Sequence, residues 1–279
     1  MALPLYKRLI VLRLLPSLFL SQVTIELCSS HVAVITTAAG FKQRVIDQQF
    51  LALNSQDDIF GQLATVFTKL KLQKNSLVKV VLASEFVRYL ALPAYHISIS
   101  AADKNAYARA AYREVYGNLV DVWQIQCDDA APNKTTIVVA IDQKFITHLT
   151  AIAEKHGLEL MSVQPKLMLI FNQFKHELKS GDVYFCVVDS NRLLFAYLKN
   201  GHWQSLRSLV LEADWQAQLA SLAKREQLLT EHLADKKLMI YAPSSYSAVL
   251  PVIDGWTVKY IGLNSINKAD KNYSMLEVA

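Results

Sequence analysis

From residue 22 to residue 82, runs of apolar residues alternate with short polar breaks in a regular way. Gln22–Leu27 and His31–Thr36 read as strands joined by the polar turn Cys28-Ser29-Ser30, and Phe41–Phe50, after Gly40, reads as a third. Ser55-x-x-Asp58 has the form of a capping box. It precedes Ile59, Leu63, Val66 and Leu70, one stripe of a helix. Leu77–Leu82 is a continuous apolar run of the buried-strand type.

The same order returns near residue 182. Asp182–Val188 and Arg192–Leu198 predict strands linked by Asp189-Ser190-Asn191. Asn200-Gly201 is a type I′ hairpin signal, and His202–Arg207 is the third strand. A helix follows from about Ala213, with Trp215, Leu219, Leu222 and Leu229 on one face. Then come a strand at Lys237–Tyr241, a short helix at Ser244–Leu250 and a last strand at Trp256–Ile261. The two passages share element order rather than residues. The repeat is architectural, β-β-β-α-β-α twice.

Between the first half's fourth and fifth strands lies extra material. Phe86–Leu92 reads as a strand ended by Pro93, with Phe86, Arg88 and Leu90 on one face and Val87, Tyr89 and Ala91 on the other. Ser100-x-x-Asp103 caps a helix that reaches Tyr116 and stops at Gly117. A strand at Asp121–Gln126, a polar loop over 128–133 and a strand at Thr135–Ile141 follow. Asp142 is placed to cap a helix bearing Phe145, Leu149 and Ile152. Leu158–Val163 is a strand, and Pro165 opens a helix bearing Leu167, Ile170, Phe171, Phe174 and Leu178. The division predicted is a segment 1–21, a first half over 22–180 with an insert at about 84–134, and a second half over 181–279.

Composition narrows the chemistry. The 279 residues include only 8 glycines. The nearest two are Gly255 and Gly262, so no G-x-G, G-x-S-x-G or G-x-x-x-x-G-K is present. Dinucleotide fingerprints, nucleophile elbows and P-loops are thereby excluded. Three cysteines, at 28, 127 and 186, are too scattered for a zinc framework. A net charge of +5 without a basic block gives no footprint for nucleic acid. Leu9–Leu20 is apolar but short, carries Arg13 and is broken by Pro16, so a packed helix or a membrane-surface segment is expected rather than a span.

The seven histidines form no H-E-x-x-H, and His148 and His156 read as surface or cap residues. Asp142, Asp189 and Asp254 each end a strand or loop, as a ribonuclease-H-type metal site requires. Helix capping by Asp142 and a turn at Asp254-Gly255 explain them more simply.

Two βββαβα halves resemble the duplicated α/β fold of actin, sugar kinases and heat-shock chaperones, each half ribonuclease-H-like. A narrower resemblance lies in the middle of the chain. Val87-Arg88-Tyr89-Leu90-Ala91-Leu92-Pro93 is similar to the V-R-x-L-x-L-P segment of pilus-assembly protein M and of the cytoplasmic domain of type II secretion protein L. Val122-Trp123-Gln124-Ile125 resembles a strand of that family's inserted subdomain. The stretch from His156-Gly157-Leu158 to Gln164-Pro165-Lys166-Leu167 is similar to its crossing between halves, with Gln164 where an acidic residue is usual.

The resemblance implies a nucleotide cleft between the halves, where glycines let the backbone of two hairpins approach phosphates. Here those positions read Glu26-Leu27-Cys28-Ser29, Asp189-Ser190-Asn191 and Tyr241-Ala242-Pro243-Ser244. Glu26, Cys28, Ser29, Asp189, Asn191 and Ser244 are therefore expected as vestigial cleft positions, with no cofactor and no catalytic or metal-ligating residue. The resemblance implies a non-catalytic scaffold at the cytoplasmic face of an inner-membrane pilus or secretion assembly. Its partner would be a cytoplasmic segment of a bitopic membrane protein, held by Phe86, Arg88 and Tyr89, with a homodimer compatible and no nucleic acid. Two rivals stand beside it: a divergent ATPase or kinase using Ser29, Ser30 and Asp189, and a ribonuclease-H-type nucleic-acid-processing protein.

Overall fold

A computed structural model describes residues 22–37, 45–53, 58–70, 74–95, 99–128, 133–229, 236–242 and 250–262. The first half is built on β1 (Gln22–Cys28), β2 (His31–Thr37), β3 (Val45–Ala52), β4 (Leu77–Leu82) and β8 (Glu159–Pro165), in the order β3-β2-β1-β4-β8. The second is built on β9 (Asp182–Asp189), β10 (Arg192–Lys199), β11 (His202–Val210), β12 (Lys237–Tyr241) and β13 (Thr257–Tyr260), in the order β11-β10-β9-β12-β13. The two sheets have the same topology, with β1 pairing antiparallel to β2 and parallel to β4 as β9 does to β10 and β12. The duplication expected from element order is real.

Helices α1 (Ile59–Lys69), α3 (Gln143–Lys155) and α4 (Lys166–Leu178) belong to the first half, and α5 (Trp215–Leu229) to the second. Asp58 is itself the N-cap of α1, its carboxylate accepting from the amides of Phe60 and Gly61. The expected capping box put Asp58 one turn too late, and its Ser55 lies outside the described residues. Asp142 caps α3 through the Lys144 amide, 2.7 Å away. Along α4, Leu167, Ile170, Phe174 and Leu178 are buried. They join Val23, Ile25 and Leu27 of β1 and Val183, Phe185 and Val187 of β9 in one core. The other face of β9, with Tyr184, Cys186 and Val188, packs on Trp215, Leu219 and Ala223 of α5. Both faces of the central strands β1, β2, β4, β9 and β10 are buried, which is why these read as continuous apolar runs, whereas β3 and β11 at the edges are largely exposed.

The insert is a three-stranded antiparallel sheet of β5 (Arg88–Leu92), β7 (Thr136–Asp142) and β6 (Trp123–Cys127), with β7 in the centre. It extends to Asp142 rather than stopping near 134. Helix α2 (Ala101–Tyr116) covers one face through Ala108 and Tyr112. The Tyr112 hydroxyl lies 2.8 Å from the Arg88 carbonyl and 2.9 Å from that of Val138, fixing α2 to both strands. Gly117 ends α2 at φ +60°, where a side chain would be strained.

Strand boundaries differ locally from expectation. Ser84–Phe86 forms a 3-10 turn, so β5 starts at Arg88 rather than Phe86. The third strand starts at Val45, with the residues before it outside the described set. The segment Leu9–Leu20, the side chain of Leu229 and residues 244–249, including Ser244, also lie outside it. Among the described residues, no helix is long and apolar enough to cross a membrane.

Candidate functional site

The two hairpin turns, Cys28-Ser29-Ser30 from the first half and Asp189-Ser190-Asn191 from the second, meet across the cleft. Cys28 Sγ is 3.2 Å from Ser190 Oγ. Ser190 reaches this position with φ +56°, a left-handed turn residue. Behind the tips lies a buried ion cluster. The Lys166 ammonium, at the first residue of α4, sits 2.6 Å from Glu26 Oε1 on β1 and 2.9 Å from Asp189 Oδ1 on β9. Each of the three residues is under 5% exposed. His31, opposite Cys28 on the hairpin, places Nε2 3.8 Å from the same Glu26 oxygen.

The charges settle one another. Burial by itself raises the Glu26 carboxyl, but the Lys166 ammonium, and then His31, outweigh it and hold the group at about 2. Burial likewise opposes charge on His31, yet Cys28 and Glu26 together raise it to about 9. Burial disfavours the Lys166 ammonium, and Asp189 and then Glu26 more than offset that, so it stays protonated well above the usual lysine range. The Cys28 thiol is lowered despite burial, by its hydrogen bonds with His31, Ser190 and Ser30. Two buried carboxylates thus face a buried ammonium and a partly exposed imidazolium, and at that depth unpaired charge is costly.

A second set of contacts closes the tips. The Glu85 carboxylate accepts from the Ser29 amide at 2.5 Å and the Ser29 hydroxyl at 2.7 Å, and lies 3.3 Å from Ser190 Oγ. A turn amide and a neighbouring hydroxyl are the donors with which a hairpin tip would hold a phosphate oxygen. Here a side chain of the same chain takes them. Asp189 Oδ2 accepts from the Ser84 amide at 2.6 Å, so its two oxygens serve different partners.

Of the expected cleft positions, Glu26, Cys28, Ser29 and Asp189 come together at this closure. Asn191 is in the second turn, and Ser244 lies outside the described residues. Three participants were not among the expected cleft positions: Glu85, His31 and Lys166, the last lying within the crossing that resembles the family's. Lys166 was legible in principle, because it shares the buried i, i+4, i+8 stripe of α4 with Ile170 and Phe174.

The insert's residues separate. Tyr89 is 7% exposed and belongs to the central core, with burial raising its hydroxyl far above the usual tyrosine range. Tyr89 shares its face with Val87 and Ala91, as the alternation of β5 predicts, but that face is buried, so Tyr89 is not open to a partner as expected. Phe86 and Arg88 instead line a groove of ≈ 220 Å³ with Glu85, Trp123, Ala140, Asp142 and Phe145. The groove runs between the insert sheet and the start of α3. Phe86 and Phe145 rings are 5.0 Å apart, and Arg88 Nη1 donates to the Glu85 carbonyl at 3.0 Å.

Asp142, Asp189 and Asp254 have separate occupations: a helix cap, an ion pair and a position in the turn before Gly255. Among the described residues, no three His, Cys, Asp or Glu side chains are gathered as a cation site. His148 and His156 pack edge-on and tilted against Phe60 and Phe67.

No protein-family model and no curated protein matches the chain. Solved structures do. The PilM–PilN type IV pilus biogenesis complex contains a chain that superposes with a TM-score of 0.60 at 10% identity, over 82% of this chain and 83% of that one. The cytoplasmic domain of EpsL, an inner-membrane component of the type II secretion system of Vibrio cholerae, gives 0.58 at 13% identity, over 92% and 94%. A protein of actin-like ATPase fold and unknown function from Bacteroides thetaiotaomicron gives 0.57 at 10%, over 82% and 84%. The fold is actin-like, and the likeness extends over the pilus and secretion proteins that the chain's motifs resemble.

Proposed function

We infer that this chain is a nucleotide-independent actin-like scaffold of a type IV pilus or type II secretion-like assembly. It would dock on the cytoplasmic side against an inner-membrane partner. The observation that carries the reading is the Lys166 ammonium held between Glu26 and Asp189. In that position a lysine supplies from within the chain the cation that would otherwise accompany bound phosphates. Glu85 supplies the anion at the hairpin tip. A triphosphate entering the cleft would have to displace the Glu85 carboxylate and compete with Glu26 and Asp189 for the Lys166 ammonium, and would meet a Cβ at Cys28 and at Asn191, where close backbone approach favours glycine.

The docking half of the reading draws on the likeness to PilM and EpsL and on the groove at Phe86 and Arg88. The groove has aromatic walls and an Arg at its rim, the composition that anchors partner side chains. Its wall β5 is an edge strand of the insert sheet whose other flank lies close to β11 of the second half, so a cytoplasmic segment would be held by side chains entering the groove rather than by pairing with β5.

The test is capture of inner-membrane proteins from a detergent extract by the wild-type chain and by Arg88→Ala, with captured proteins identified by mass spectrometry. The reading requires one bitopic protein that is enriched by the wild type and lost with the variant at equal thermal stability. Equal capture by both would remove the groove as the docking surface.

A further inference from the structure

The groove and the cleft lie on opposite ends of one short segment, Ser84–Arg88. Its first three residues form the 3-10 turn, whose N-cap residue Ala83 makes no side-chain hydrogen bond. The leading amide, that of Ser84, is instead bonded to Asp189 of the other half at 2.6 Å. A carboxylate at the start of a helical turn satisfies an otherwise orphaned N–H and complements the local dipole. Ser84 is completely buried, so water is not a substitute partner there.

The same turn orients the groove. Glu85 turns its carboxylate to the hairpin tips while its carbonyl accepts from Arg88 Nη1. Phe86 packs on Phe145 of α3. Glu85, Phe86 and Arg88 are all groove-lining residues. The conformation of one groove wall therefore depends on a carboxylate that arrives from the second half, and on Ser190 beside it.

We propose that Asp189 and Ser190 couple closure of the two halves to the shape of the groove, so that occupation of the groove and separation of the hairpin tips bias each other. The inference rests on the docking reading only for what fills the groove. The coupling itself is a property of the chain. Where two sites share one structural element with two arrangements, each shifts the other by an equal factor. The contacts joining the tips are hydrogen bonds among Cys28, Ser29, Ser190 and Glu85, which water can replace when the tips part, while the strands behind them stay joined by one apolar core.

The experiment uses the whole chain and needs no partner. S190C puts a second thiol opposite Cys28, whose sulfur now lies 3.2 Å from the Ser190 oxygen, so mild oxidation with diamide closes the tips covalently. Hydrogen exchange is then followed at 88–92 and 143–155, the groove walls, in oxidised and reduced protein, with oxidised wild type as control. Asp189→Asn gives the opposite perturbation, keeping the side-chain size but weakening the acceptor for the Ser84 amide. Coupling predicts at least about threefold slower exchange at the groove walls on oxidation, reversed by reductant, and about threefold or more faster exchange in Asp189→Asn. Changes confined to 27–31 and 189–192 in both proteins would overturn it. Should Asp189→Asn not fold, Ser190→Ala replaces it, with the same direction expected. Because no docking partner enters the measurement, failure here leaves the capture result standing, and failure of capture leaves this one standing.

Discussion

Lys166 and Asp189 come from different halves, one opening the helix that follows the first sheet and the other ending the first strand of the second, yet their charged groups are 2.9 Å apart. The contact is wholly buried and is shared with Glu26. Removing Lys166 would leave two like charges in a dry site. Breaking a buried ion pair from one side typically destabilises by ~3–5 kcal/mol. Lys166→Met, which keeps the length of the side chain, is therefore expected to lower the urea-unfolding free energy by an amount in that range. Adding Glu26→Gln and Asp189→Asn should return much of it, since no carboxylate then lacks a cation. A Lys166→Met variant as stable as wild type would mean that the cluster does not hold the halves.

The pH dependence follows from the same groups. His31 has its folded value raised to about 9, so its contribution is complete below the unfolded value near 6.5 and is lost as pH rises through 9. Glu26 has its folded value lowered to about 2, so its contribution is complete above about 4.5 and is lost as pH falls through 2. Thermal unfolding should show greatest stability between about pH 4.5 and 6.5 from these two groups, with a decline from 6.5 to 9 that His31→Gln flattens. An unchanged alkaline limb in that variant would show that His31 is not ionised in the folded protein.

How much of this was readable beforehand depends on whether the signal is local. The β1–β2 and β9–β10 hairpins were legible because apolar runs bracket a polar turn, and Asn200-Gly201 announced its own hairpin, with both residues at positive φ. Asp142 and Ser100 were legible as caps because a cap acts within its own turn. The insert's limit was not. Thr136–Asp142 is an apolar strand whichever sheet it joins, and only its pairing with β5 and β6 assigns it. Tyr89 is a related case. Alternation put it on the right face with Val87 and Ala91, but a short strand with apolar residues on both faces does not say which face another part of the chain covers. Lys166 meets Glu26 across 140 residues of sequence, so no window contains both. What the sequence did hold was a lysine on an otherwise apolar stripe, a placement that requires a buried anion somewhere.

The turn between β10 and β11 depends on a glycine. Gly201 has φ +74°, and a Cβ there would meet the Lys179 Cα at 3.1 Å and its Cβ at 3.0 Å. Gly201→Ala should cost about 1–2 kcal/mol in unfolding free energy, through the left-handed backbone and this contact together. Gly255→Ala, at φ +75° with nothing near, should cost less. Equal losses would mean that the contact with Lys179 adds nothing.

The central claim, that the cleft is satisfied from within the chain, is tested most directly by calorimetric titration of the wild-type protein with Mg²⁺-ATP, with a parallel thermal melt. The account predicts no saturable heat up to millimolar nucleotide and an unchanged melting temperature. Occupancy at a hundredfold excess over the dissociation constant would add ~2.7 kcal/mol and move the melt visibly. A saturable isotherm with a rise in melting temperature, abolished by Asp189→Asn, would contradict it and make the cleft a working nucleotide site.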